Sequence, residues 1–412
     1  MTTAVPPVKP ISRAALGVVF ATVFLDLLGF GLIIPIQAFY TQSFGARPAV
    51  ITLVGASYSL MQFLFMPFWG RLSDRIGRRP VVLSSVAISA LGYFLFASAD
   101  SLWMLFAARM LAGFGNANIG AAQAVIADTT TPENRAKGMG LIGVAFGLGF
   151  VIGPAIGGTL GQFGLAVPAY AAAGLGVLNL ISAYFFLPET RAPDLHPPSP
   201  QSRQDIRRDV LNRPGVRQLL ILSLVLTTGF ALMEQIVALL IEHVWVREAL
   251  VPETATAGHR TAAKLTTLAM LTVGLTMAVV QGGLIGKLAR KHGELKLVRI
   301  GSIVVALGLA AMPLVAESGL FWAFLVTCAV LAFGQGITTP SVTGLLSKAV
   351  GPDRQGAALG LGQSAAALAR VLGPAAAGSL FEWHLRAPYW TGAALVLVGL
   401  AASRGLKFAR DP

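Results

Sequence analysis

The sequence predicts an all-helical integral membrane protein that crosses the bilayer twelve times, as two pseudo-symmetric six-helix bundles. Three observations predict it. Of 412 residues, 55% are hydrophobic and 12% charged, with a mean hydropathy of +0.71, whereas a soluble globular protein carries roughly 25% charged residues. So little polar side chain excludes a water-borne enzyme of this size. Apolar runs of ~20 residues, enough to span ~30 Å of hydrocarbon, recur along the chain. Short motifs also repeat between its halves.

The runs fall at 14–40, 50–69, 80–98, 102–126, 137–160, 165–187, 217–241, 265–286, 297–315, 319–346, 356–380 and 388–405. They are continuous and lack the period-2 alternation of an outer-membrane barrel. The first is longer than the ~7–15-residue core of a signal sequence and lacks a small-residue cleavage pattern, so it reads as a crossing helix. Residues 188–216, with Pro193, Pro197, Pro198, Pro200 and many charges, read as a cytoplasmic linker. The expected domains are therefore 1–187, 188–216 and 217–412.

Of the 31 Lys and Arg residues, 24 fall on the side that holds both termini and only 5 on the other. Lys and Arg are retained on the cytoplasmic side, so both termini are expected there. The same scatter into short clusters argues against a nucleic-acid partner despite the net charge of +13, because no contiguous basic face is built. A single cysteine, Cys328, allows no intramolecular disulfide and no cysteine-based metal site. The five histidines show no metal-ligand spacing and no Walker A sequence is present. No cofactor or metal is expected.

The repeat is specific. Gly70, Leu72 and Gly77 recur as Gly286, Leu288 and Gly293; Gly153-Pro154 recurs as Gly373-Pro374, and Gly158 and Leu160 as Gly378 and Leu380. Parallel six-helix repeats are the architecture of one large transporter class, whose halves rock about a midplane site.

Four charged residues fall well inside the expected crossings: Asp26, Arg109, Glu234 and Arg370. A charge at the bilayer centre costs roughly 2.5–3.5 kcal/mol even on the lenient insertion scale, which makes each a functional candidate. Depth along the helices places Asp26 level with Arg109 and Glu234 level with Arg370, which predicts two pairs. Polar residues at helical spacing extend these positions into stripes: Arg109, Gly113, Asn116, Gly120 and Gln123; Thr22, Asp26 and Gln37; Tyr58 and Gln62; Gln363 and Arg370. Such stripes face a cavity or another helix, not lipid. The expected cavity lining is Thr22, Phe30, Gln37, Tyr58, Gln62, Asn116, Gln123, Met233, Gln335 and Gln363. Packing between helices is the alternative for the amides, and a structural ion pair for Glu234 with Arg370. Asp26 is the expected proton-coupling group, its proton contested between desolvation and the neighbouring guanidinium; Glu234 is its rival. Residues 242–264 are expected to contribute a short surface helix around Val244, Trp245 and Val246.

The stretch Gly70-Arg71-Leu72-Ser73-Asp74-Arg75-Ile76-Gly77-Arg78-Arg79 resembles the loop signature of the major facilitator superfamily. Gly149-Phe150-Val151-Ile152-Gly153-Pro154-Ala155-Ile156-Gly157-Gly158 resembles the signature of its drug/proton antiporter branch. Arg109 with Gly113, Gly115 and Ala127-Asp128-Thr129-Thr130 is similar to the tetracycline/proton antiporters, as is Leu25-Asp26 followed by Gly29 through Pro35. The match is close over about residues 20–160 and architectural beyond. It implies the major facilitator fold and proton-coupled export of small amphipathic or hydrophobic compounds by alternating access. It further implies a bacterial inner-membrane location, a role in antibiotic resistance, and a monomer whose partners are substrate, protons and the bilayer. By the same resemblance Gly70, Asp74, Gly77, Arg78 and Asp128 form a cytoplasmic conformational lock. Gly149, Gly153, Pro154, Gly157 and Gly158 form a tight, kinked contact between the halves. The chain departs from the tetracycline exporters at Gly92, where they carry an acid, and in having no acid within 297–315. Transport of one endogenous metabolite or siderophore, and a transport-inactive membrane receptor, remain the other readings.

Overall fold

The computed structural model describes residues 13–129, 145, 148–149, 151–190, 200–246, 255–350 and 354–403. Lys9, Arg135, Lys137, the start of the fifth expected crossing, the first part of the linker and the side chain of Gln123 lie outside the described residues. Among the described residues every regular element is a helix. In order these are α1 (Arg13–Gln42), α2 (Pro48–Ile76), α3 (Arg78–Ala97), α4 (Leu102–Gly115), a 3₁₀ turn (Asn116–Asn118) and α5 (Ile119–Thr129). Then come α6 (Val151–Gly161), α7 (Val167–Phe186), α8 (Pro200–Asn212), α9 (Val216–Glu234) and α10 (Val237–Trp245). The chain continues through α11 (Ala255–Val279), a π turn (Val280–Leu284), α12 (Ile285–His292), α13 (Glu294–Glu317), α14 (Phe321–Lys348), α15 (Gln355–Trp383) and α16 (Ala387–Ala402).

Nine helical spans among the described residues are long and apolar enough to cross a membrane, and α6 and α16 are shorter apolar helices. The protein is a multi-pass membrane protein. Sequence and structure differ at the interruptions. The fourth expected crossing breaks at Asn116–Asn118, between α4 and α5. The seventh breaks after Glu234, where Gln235 and Ile236 separate α9 from α10. A π turn, a motif frequent at functional sites, interrupts the eighth at Val280–Leu284. The linker contains the polar helix α8 rather than extended chain alone. Within 242–264 the described residues form no separate surface helix: Val244 and Trp245 end α10, and residues 255–264 open α11. Trp245 is held by a bond from its Nε1 to the Gly319 carbonyl (2.9 Å) and by edge contacts with Phe321 and Phe324, so the apolar side chains there pack inward.

One core joins residues of α8 through α11 and α13 through α16 and takes Ala38, Phe39, Ala46 and Ile51 from the first half. Two others are built wholly from residues between Val19 and Leu187. The outer surface is apolar: Leu64, Leu307, Phe185 and Phe186 are exposed, as lipid contact requires. Trp103, Trp322 and Trp383 stand more than 80% exposed at helix ends, the position of an interfacial aromatic belt.

The halves meet at the end that carries the 42–48 turn. Glu382 of α15 accepts from the Ala49 backbone N–H (3.0 Å), placing an anion at the N-terminus of α2, where the helix dipole favours it. Gly378 of α15 lies against Pro48, Ala49 and Thr52, and Gly158 of α6 against the Thr267 side chain of α11. The two repeat-related glycines therefore serve two repeat-related contacts, α2 with α15 and α6 with α11. Phe39 adds a ring contact to His259, which pairs with Glu242 at 3.4 Å. Deeper in, Gln37 Nε2 donates to Gln235 Oε1 across the halves (3.1 Å).

Candidate functional site

Asp26 sits in mid-α1, and its two oxygens meet two amides. Asn179 Nδ2, from α7, donates to Oδ1 at 3.1 Å, and Asn118 Nδ2, from the 3₁₀ turn, donates to Oδ2 at 3.3 Å. Asn179 Nδ2 also reaches the Thr22 carbonyl (3.1 Å), and Asn118 Nδ2 the Ser85 hydroxyl (2.7 Å). Breaking the helix at Asn116–Asn118 turns these side chains toward α1 and α3. Asn116 donates to the Tyr93 hydroxyl (2.9 Å) while its carbonyl accepts from Gln62 (3.1 Å).

Arg109 lies elsewhere. Its guanidinium stands over the Tyr58 ring at 4.4 Å, with Phe30 at 5.8 Å and Phe96 at 5.9 Å, an arrangement in which ring faces offset part of a desolvated charge. It is 2% exposed, and its Nε and Nη1 have no protein acceptor. The expected Asp26–Arg109 pair is therefore not formed here. Depth arithmetic sets the height of a residue in the membrane but not its azimuth; α4 turns Arg109 toward α2, whereas the 3₁₀ turn supplies the partner of Asp26. Glu234 and Arg370, the second expected pair, lie within electrostatic range of one another but form no ion pair and no direct hydrogen bond among the described residues.

The other expected lining residues separate. Thr22, Gln37, Tyr58, Gln62, Asn116, Met233 and Gln335 are buried, and Phe30 stacks on Tyr58 at 5.0 Å. Gln363 is exposed on α15. Asp26 meets Asn179, which also takes the Thr22 backbone carbonyl, while Gln37 meets Gln235, so the α1 stripe has two different neighbours. Gly113 lies against the backbone of Tyr58, which makes that stretch of the Arg109 stripe a packing surface.

At the opposite end from the 42–48 turn, Arg78 bridges three partners. Its Nη1 donates to Asp74 Oδ1 (2.6 Å) and Ser73 Oγ (2.8 Å), and its Nε to Asp128 Oδ2 (3.0 Å). Asp74, Arg78 and Asp128 are thus brought together, tying α2, α3 and α5 of the same half; Gly70 joins through its carbonyl, which accepts from Ser73 (2.9 Å). Glu189, which sequence reasoning missed, accepts from the backbone N–H of Arg78 (2.9 Å) and of Arg79 (3.1 Å), capping α3. Gly77 makes the turn between α2 and α3 with φ +104°, and a Cβ there would stand 2.5 Å from Glu189 Oε2. Gly77→Ala is accordingly expected to cost about 1–3 kcal/mol of backbone strain and to lower the thermal midpoint measured in lipid or detergent.

The glycines of the antiporter-like stretch pack α6 on α1. Gly149 abuts Leu27, Gly153 abuts Gly31, and Gly157 abuts the Leu32 backbone; Pro154 is buried beside Gly31. Among these glycines, Gly158 is the one whose nearest neighbours belong to the other half. In the second half Gly373 repeats the arrangement against Ala231 and Leu232 of α9. Gly92 is explained locally: a Cβ on it would lie 2.6 Å from the backbone N of Ala112, so α4 leaves no room for an acid there.

Crossing helices that bury the Arg109 guanidinium and half-bury Asp26, Glu234 and Arg370 carry the marks of a membrane transporter's pathway. The Major Facilitator Superfamily model matches residues 19–246 and 249–412, and the chain belongs to that family. It is 32% identical to the class E tetracycline resistance protein of Escherichia coli over 85% of this chain and 84% of that one. It is 28% identical to multidrug resistance protein 2 of Bacillus subtilis (strain 168) over 93% and 92%. Its fold is similar to the crystal structure of the human organic anion transporter MFSD10 (TETRAN), at 25% identity and a TM-score of 0.70, covering 96% and 100% of the two chains.

Proposed function

We propose that the chain exports small amphipathic or hydrophobic compounds from a bacterial cytoplasm in exchange for protons, as a monomer in the inner membrane. The observation that carries this reading is a carboxylate, Asp26, lodged mid-helix in a crossing and partnered by neutral amides. Such a group can gain and lose a proton without breaking an ion pair. The relatives named for tetracycline and multidrug resistance support the export of drug-like molecules. Twelve crossings complete the topology: the nine long spans, the interrupted stretch Leu102–Thr129, α6 and α16. They form bundles 1–187 and 217–412 joined by 188–216, with both termini cytoplasmic as the basic residues require. The 42–48 end, where the described parts of the two halves meet, is then the periplasmic one.

In this reading Asp26 carries the proton. Arg109 and the Glu234–Arg370 couple set the field around it, and Phe30, Tyr58, Gln62, Asn116, Met233 and Gln335 offer the aromatic, polarisable and amide groups that adaptable ligand sites use. Gln37 closes the floor against Gln235. Asp74, Arg78 and Asp128 hold the cytoplasmic ends of the first bundle in register as the halves rock. The filled space beside Gly92 implies a substrate other than tetracycline itself.

Proteoliposome flux across a panel of lipophilic dyes and antibiotics tests the proposal. Uptake into inside-out vesicles is expected only with an imposed pH gradient and is expected to stop when the gradient is dissipated. Flux that persists without a gradient would show passive facilitation, and no flux of any compound would favour a receptor.

A further inference from the structure

Asn179 is 1% exposed, and its amide is used on one side only. Its Nδ2 serves Asp26 and the Thr22 carbonyl, while its Oδ1 is buried with no hydrogen-bond partner. A buried amide oxygen left unpaired is an unfavourable element, and this one belongs to the side chain that holds a titrating carboxyl. An amide is also the group that can present either a donor or an acceptor to the same neighbour by turning over.

We infer that Asn179 reads the protonation state of Asp26: its Nδ2 holds the carboxylate, and its Oδ1, turned inward, accepts the hydrogen of the carboxylic acid. This rests on the reading of Asp26 as the proton site and adds the residue that transmits the event to α7. The step balances simply. A proton from the aqueous side binds one carboxylate oxygen, that oxygen becomes a donor, and the amide rotates so that N–H···O⁻ is replaced by O–H···O. The Thr22 carbonyl keeps its place in the helical ladder when the amide leaves. Asn118, which also serves Ser85, stays as the fixed donor to the other oxygen. Asn179 is therefore a positioning residue acting through Asp26.

Few other charges face the site. Tyr58 of α2 and Tyr93 of α3 lie in electrostatic range of Asp26. Among the described residues α6 and α7 contribute no acid or base of formal charge, Asp128 of α5 is engaged by Arg78, and Arg109 of α4 stands over Tyr58. From α10 and α11, Glu242 and His259 pair with one another near the far end of α1, by Phe39.

The test is pH-difference infrared spectroscopy of the full chain in lipid, with protons as the sole ligand. A carboxylic-acid carbonyl band is expected in wild type and expected to vanish in Asp26→Asn. With isotope-labelled asparagine, an amide band is expected to shift at the same pH midpoint. Asn179→Leu is expected to remove that shift and, because it deletes a bond from both protonation states, to move the midpoint of the Asp26 band by about one pH unit, the amount by which a hydrogen bond to the charged form exceeds one to the neutral acid. Asn179→Ser, whose hydroxyl both gives and accepts, is expected to stay nearer the wild-type midpoint. A labelled amide band indifferent to pH overturns the inference in unmutated protein, whatever the folding of the variants, and so does a wild-type midpoint in Asn179→Leu. Absence of any Asp26-dependent band overturns the underlying proton-site reading instead, and the inference falls with it.

Discussion

Asp26→Asn is expected to reduce pH-gradient-driven transport to the level of empty vesicles while leaving folded protein in the membrane. The substitution conserves shape and volume. Its amide oxygen can still accept from Asn179 or Asn118, which reach the native carboxylate at 3.1 and 3.3 Å, so the contacts joining α1, the 3₁₀ turn and α7 survive in part. What disappears is the ability to bind and release a proton inside the bilayer. Removing a charge that costs roughly 2.5–3.5 kcal/mol at that depth also makes a stability loss unexpected, and the thermal midpoint is expected to stay at or above wild type. Substrate counterflow, which needs alternating access but no net proton movement, is expected to persist. That combination separates coupling from folding: loss of counterflow would mean that Asp26 holds the site together, and retained gradient-driven accumulation would exclude it as the carrier. Glu234→Gln run beside it asks the same of the rival carboxylate, which differs in having Arg370 within electrostatic range.

The difference between those two carboxylates also marks how far the sequence could be read. Crossings were legible because burial in lipid leaves a run of ~20 apolar residues that nothing else requires, and family membership followed from motifs in which glycine and charge occupy fixed positions. The interruptions were not legible. Asn116-Ala117-Asn118 sits inside an apolar run, and hydropathy is indifferent to whether that run is one helix or two. Yet the signal was present: two asparagines one residue apart, between Gly115 and Gly120, crowd helix-weakening residues into one turn. The pairing of Asp26 with Arg109 failed for a related reason. Helical rise fixes how deep a residue lies, whereas its partner depends on which face each helix turns, and the 3₁₀ turn resets that face between Arg109 and Asn118. Asn179 carried a readable clue as the lone carboxamide in α7, a helix with no charged residue. Glu189 and Thr267 carried none, because a helix cap from a distant segment and a steric partner across two bundles are properties of the tertiary arrangement alone. Gly158 illustrates the limit: its place in the motif was clear, but only the packing of α6 on α11 distinguishes it from its neighbour.

That distinction yields opposite expectations for adjacent glycines. Gly157 presents its Cα to the backbone of Leu32, and the atoms a Cβ would meet are the carbonyl oxygen, carbonyl carbon and Cα of that residue. Backbone inside a helix cannot yield locally, so Gly157→Leu forces α6 off α1 as a body. Overpacking a tight contact costs typically about 1–3 kcal/mol and more where the neighbour is rigid; here separation also opens the Gly153–Gly31 contact one turn away. The expected result is little or no folded protein on size-exclusion chromatography, and no second-site change in a side chain should restore it. Gly158 instead faces the Thr267 side chain of α11, across the contact that closes the 42–48 end. Gly158→Ala is expected to leave each bundle folded but to hold the two apart there. Cysteines introduced at the closed end should then cross-link more slowly and transport should fall. Thr267→Ala removes the hydroxyl and methyl that make the nearest and third-nearest contacts while leaving Cβ at 2.6 Å, so it should restore closure in part. A Gly158→Ala protein that cross-links at the wild-type rate would show that this contact does not govern closure. Rescue of Gly157→Leu by Thr267→Ala would show that the two glycines do not face different helices.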